Sequence, residues 1–151
     1  MKTLIIYESI HHGNTKKVVD IIGKVLKAKI IKAENVNIGT LREYDLIGFG
    51  SGIYYGKFHK NINKLIDKMP ILLNKKVFIF STSGIGKKKF NNSIVEKLKE
   101  HGLENVGNFS CKGHNTYGPF KIIGGIAKNR PNEKDLEDAK NFAENLLKIA
   151  K

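Results

Sequence analysis

The chain has a single cysteine, Cys111, among its 151 residues, no tryptophan, three prolines and only two arginines. One cysteine excludes an internal disulfide and any cysteine-based zinc site, and it fits a reducing, cytoplasmic setting. Acids are scarce as well: 14 stand against 27 bases, giving a formal net charge of +13. No apolar run approaches the ~18 residues that a membrane-spanning helix needs. The opening MKTLIIYESIHHGNT turns polar at Glu8 and offers no small-residue cleavage site, which argues against a secretory signal. Internal repeats, low-complexity stretches and linkers are also missing, so one domain over residues 1–151 is expected. A domain of this size buries ~68–70% of its unfolded surface and needs no staple.

The shortage of arginine shapes the reading of the charge. Of the 27 bases only Arg42 and Arg130 are arginines, and the lysines spread from Lys2 to Lys151, densest at Lys24–Lys32 and Lys87–Lys89. Base readout and bidentate phosphate clamping favour arginine. Diffuse lysine charge without a recognition motif does not favour a nucleic-acid role, although it suits anionic small molecules and acidic protein partners.

What the sequence does contain is alternation. Short apolar runs at Thr3–Tyr7, Ala28–Lys32, Leu46–Gly50, Val77–Ser81 and Val106–Cys111 predict strands. Between them lie helical spacings: Val18, Ile22, Val25 and Leu26; Ile62, Leu65, Ile66 and Met69; Phe90, Ile94 and Leu98; and Leu136, Ala139, Ala143, Leu146 and Ala150. A helical turn near Ile38–Arg42 completes five β–α pairs. The pattern predicts a three-layer, doubly wound α/β fold around a five-stranded parallel sheet.

Ten of the 15 glycines fall after strands: Gly13, Gly50, Gly52, Gly56, Gly84, Gly86, Gly113, Gly118, Gly124 and Gly125. In a parallel sheet all those connections share one edge, where open α/β sheets bind ligands. The first connection, Tyr7 to Thr15, brings hydroxyls, an Asn amide and a Gly to a helix N-terminus, which suits a phosphate without any cation. The P-loop spacing fails, because Ser81 and Lys88 stand where it needs a glycine and a hydroxyl, and no G-x-G-x-x-G follows the first strand. No aspartate cluster marks a phosphorylated receiver. Nothing orders His11, His12, His59 and His114 as a metal set.

The run Ser9 to Gly13-Asn14-Thr15, in its strand–turn–helix setting, resembles the phosphate loop of the flavodoxin family, with one residue more than the commonest short-chain spacing. The resemblance covers the whole chain and implies strand order 2-1-3-4-5, bound FMN and transfer of electrons between redox partner proteins. It implies that Ser9, His12, Gly13, Asn14 and Thr15 hold the FMN phosphate, and that Ser51, Gly52, Ile53, Tyr54, Tyr55 and Gly56 approach the flavin, one tyrosine stacking on it. Thr82, Ser83 and Gly84 are the third set of contacts, without the acid common there. The stretch from Cys111 to Pro119 looks like the family's C-x-G-x-D-T-x-G-P, with Asn115 at the aspartate position, and adds Gly113 and Thr116. Phe90 is expected in the core and Cys111 as a small buried hydrophobe. Because most of the family is acidic, this basic member calls for partners with acidic docking faces; a monomer is expected. Two other functions remain open: an FMN-dependent oxidoreductase acting on a quinone or porphyrin precursor, and a flavin-free basic module for nucleic acid.

Overall fold

A computed structural model of the protein describes residues 1–10, 13–114 and 126–150. His11, His12, Asn115, Thr116, Gly118, Gly124 and Gly125, singled out from the sequence, lie outside the described residues.

Five parallel strands form the sheet. They are β1 (Thr3–Glu8), β2 (Lys29–Lys32), β3 (Leu46–Tyr54), β5 (Lys76–Ser83) and β6 (Glu104–Lys112), hydrogen-bonded in the order β2-β1-β3-β5-β6; a short β4 (Lys57–Phe58) pairs antiparallel with β3. Leaving out β4, this is the order the resemblance implies. Helices α1 (Asn14–Leu26), α2 (Lys60–Lys68), α3 (Asn92–Glu100) and α4 (Glu133–Ile149) supply the outer layers. Two 3₁₀-helical turns, Ala33–Asn35 and Ile38–Glu43, take the place of an α-helix after β2.

The alternation of a strand explains the layering. Along β1, Leu4 and Ile6 enter one buried cluster with α2 and α3 residues such as Ile62, Ile66, Ile94 and Leu98. Ile5 and Tyr7 point the other way, to α1 and α4, among Val18, Ile22, Ala143 and Leu146. Burying both faces is what makes the run near-continuously apolar. Gly48 and Gly50 have a packing reason: a Cβ on either would lie 2.1–2.2 Å from the rings of Phe78 or Phe80. Those two phenylalanines are fully buried and stack at 6.0 Å. Each stabilises the fold by about 1.5–3 kcal/mol through burial.

Four strands run further than the sequence predicts, β1 by one residue, to Glu8. β3 continues past Gly50 to Tyr54, because Ser51 and Gly52 pair with Ser81 and Thr82 of β5, and Ile53 and Tyr54 pair with Phe58 and Lys57 of β4. The connecting turn has Tyr55 at φ 50° and Gly56 at φ 79°, both left-handed, as a two-residue hairpin turn matched to strand twist requires. β5 and β6 likewise reach Ser83 and Lys112. Helix α4 begins at a reciprocal cap: Asn132 accepts from Asp135 N and Asp135 accepts from Asn132 N, each at 2.9 Å. Arg130 Nη2 donates to the same carboxylate at 2.7 Å. Phe90 packs against the α2–α3 core, as its helical spacing implied.

Candidate functional site

The C-terminal ends of β1, β3, β5 and β6 converge on one cleft. Its walls include Ser9, Asn14 and Thr15 from the first connection, Gly52, Ile53 and Tyr54 from the end of β3, Thr82 and Ser83 from β5, and Gly113 after β6. Ile10 and His114 line it too, though no sequence signal had marked them as contacts.

The N-terminus of α1 opens the cleft. Gly13 stands at the N-cap with φ 63° and offers no side chain to cap the helix, and the first turn carries no acid. The free N–H groups and the positive dipole end therefore face the cleft without a competing carboxylate. Ser9 Oγ accepts from Lys16 N at 3.2 Å, placing a hydroxyl beside that turn. Thr15, the second residue of α1, is 1% exposed and Thr82, at the end of β5, is 3% exposed; their hydroxyl oxygens lie 2.8 Å apart. Two hydroxyls hold two protons and their mutual bond uses one. The other can be donated to an acceptor in the cleft.

Asn14 ties the first connection to the segment after β6. Its Nδ2 donates to His114 O at 2.7 Å, while its buried Oδ1 has no partner among the described residues. That orphan needs a donor such as a ligand hydroxyl or a water. Gly113 fits only because it lacks a side chain: a Cβ there would lie 2.6 Å from Asn14 Nδ2. Gly113 N in turn donates to Ser83 O at 2.9 Å, and Ser83 Oγ accepts from Gly86 N at 2.7 Å. Three connections are thus laced together around the cleft.

Other predicted contacts sit elsewhere. Ser51 is fully buried, and its hydroxyl donates to Gly52 O at 2.6 Å and accepts from His59 N at 2.9 Å, so it braces the hairpin against α2. Tyr55 is 76% exposed at the hairpin tip beside Gly56. Gly84 follows β5 outside the cleft wall. His12 and Thr116 lie outside the described residues.

Two titratable groups flank the cleft. His59 caps α2 by accepting from Asn61 N at Nδ1, 3.0 Å, and meets Tyr54 edge-on at 5.5 Å. Burial lowers its pKa from the ordinary histidine value; Glu8 and Glu34 oppose the shift and Lys60 adds to it. Glu8 itself is buried at the end of β1 and accepts from Asn61 Nδ2 at 3.1 Å. Burial, with Asp135 nearby, pushes the Cys111 thiol up to about 12, so it stays protonated in the core. Among the described residues no group of three or more His, Cys, Asp or Glu is placed to hold a metal ion.

A hydroxyl-rich helix N-terminus fits a phosphate, and an orphaned amide oxygen beside it fits the hydroxyls of a polyol chain; FMN carries both. Comparison with known proteins agrees. A family profile described as a flavodoxin domain matches residues 4–120. An uncharacterized protein of Methanocaldococcus jannaschii is 51% identical over 150 residues, covering 98% of this chain and 99% of that protein. Among solved structures, a flavodoxin from the domain Archaea superposes with TM-score 0.75 at 21% identity, over 99% of both chains. The oxidised flavodoxin 2 of Bacillus cereus does so with TM-score 0.70 at 21% identity, also over 99% of both chains. At these identities the structural likeness speaks for the fold.

Proposed function

The chain belongs to the flavodoxin family, whose members bind FMN, and from that premise we propose that it is a single-domain electron carrier working between redox partner proteins. FMN supplies the redox chemistry when bound. The chain's residues bind it, orient it and set its electrostatic surroundings. The observation that carries this reading is the acid-free N-terminus of α1 facing a buried Thr15–Thr82 hydroxyl pair with one proton left to give.

In this reading Ser9, His12, Gly13, Asn14 and Thr15 hold the phosphate, using backbone N–H groups and hydroxyls instead of a cation. Thr82 acts through Thr15, fixing the direction of its hydroxyl. Asn14 offers its unpartnered Oδ1 to a hydroxyl of the polyol chain. Gly52, Ile53, Tyr54, Ser83, Gly113 and Thr116 approach the rest of the cofactor, with Gly84 next to Ser83 outside the cleft wall. Ser51, Tyr55 and Gly56 serve through the hairpin that carries Tyr54. The partners present acidic faces to this basic chain.

Titration of the purified protein with FMN, followed by flavin fluorescence and visible absorbance, tests the reading. Stoichiometric quenching and a bound-flavin spectrum are expected. A protein that stays colourless and leaves FMN fluorescence unquenched overturns it.

A further inference from the structure

Beside the cofactor cleft runs a second depression, between β4 and α2, with a volume of about 510 Å³. We propose that this groove is the docking site for an acidic, partly apolar segment of a redox partner protein; the proposal rests on the electron-carrier reading and names where the partner sits.

Charge is the first argument. Lys57, Lys60 and Lys64 all line the groove and all are exposed. Lys60 and Lys64 stand one turn apart on the same face of α2. Among the described residues none of the three is ion-paired. Among the described residues the one acid lining the groove, Asp67, is already engaged with Lys97 at 2.9 Å. A row of three uncompensated ammonium groups attracts several carboxylates spaced along a chain better than it attracts one small anion.

The floor is the second argument. Phe58 and Tyr54 form an aromatic base, and Ile10 stands 53% exposed where the groove meets the cleft. Ile10 and Tyr54 line both depressions, so the groove is continuous with the candidate cofactor site. A segment seated there abuts the wall of the cleft, the position an electron donor or acceptor must reach. Buried apolar contact on the floor supplies affinity that salt does not screen, while the lysine rim sets orientation and association rate.

The test uses isotope-labelled protein after FMN addition and a synthetic peptide of glutamates flanking a leucine pair. Amide shifts are expected at Ile10, Tyr54 and the Lys57–Asp67 stretch. Binding should weaken with added salt. It should also weaken about tenfold in the K60E/K64E double variant, measured with FMN at saturation. Three results overturn the proposal: no binding, shifts confined to another face, or equal affinity for the charge-reversed variant. Equal binding of a peptide with lysines in place of the glutamates, or displacement by equimolar inorganic phosphate, also overturns it. FMN uptake is read by absorbance on the same sample. Failure of the electron-carrier reading therefore shows separately, and the peptide shifts decide the groove either way.

Discussion

Thr15 lies where the core meets the cleft wall. Its hydroxyl is buried against that of Thr82 at 2.8 Å. Thr15→Val keeps the volume but leaves Thr82 without its partner, so stability should fall by about 1–2 kcal/mol. FMN affinity should fall about tenfold on top of that, the loss of one hydrogen bond to a charged acceptor. Thr15→Ser keeps the hydroxyl and should retain most of the affinity. Urea midpoints and FMN titrations of the two variants separate the effects; equal FMN affinity in all three proteins removes Thr15 from the site. His59 gives a pH signature. Its Nδ1 is occupied by the Asn61 N–H, so the neutral ring carries its proton on Nε2, and protonation breaks the cap. Burial holds the folded pKa below the ordinary 6.5. The unfolded chain therefore takes up this proton first as pH falls. The stabilisation is complete above about pH 6.5 and is lost as pH drops through the folded value. His59→Asn keeps an N-cap without the titration. The fall in urea midpoint between about pH 7.5 and 5.5 should be smaller in that variant than in the parent.

At the scale of elements, the cleft depends on how the connections hold each other. Gly113→Ala places a methyl 2.6 Å from Asn14 Nδ2, which is itself committed to His114 O. The Asn14 side chain must give way, and the lacing between the segment after β6 and the N-terminus of α1 loosens. A stability loss of about 1–3 kcal/mol is expected. Weaker FMN binding should accompany it, measurable by the same fluorescence titration, whereas Gly39→Ala, on the 3₁₀ turn after β2, should leave FMN binding unchanged. The strands and helices behind this arrangement were legible because periodicity writes burial directly into the sequence: Leu4, Ile5 and Ile6 face two cores, and Val18, Ile22 and Leu26 one. The hydroxyls, amide and glycine of the first connection were legible because they are local to Ser9–Thr15. The continuation of β3 beyond Gly50 was not, since Ser51 and Gly52 are poor strand formers held in place by β5, a partner about 30 residues away. The brace that Ser51 makes was not legible for the same reason: its bond with His59 N joins residues eight apart through a hairpin the sequence does not announce. Ile10 and His114 carry no pattern and reach the cleft only through the geometry of their neighbours.

The whole molecule adds a field. With a formal charge of +13 and no acid in the first turn of α1, the surroundings of the cleft favour added negative charge. Reduction places electrons on a cofactor whose phosphate is already anionic. Cations within about 10 Å, the screening length near 0.1 M salt, therefore stabilise the reduced form over the oxidised one. Lys57, Lys60 and Lys64 line the groove adjoining the cleft, and Tyr54 joins the two. Changing the three lysines to glutamine removes three charges without touching the residues assigned to the cofactor. The reduction potential of the bound flavin should then fall, and the difference from the parent should shrink as salt is added. A spectroelectrochemical titration at low and high ionic strength reads both effects. If the potential rises or stays fixed, the lysines are too far from the cofactor to act on it, and the positive charge serves association with acidic partners alone.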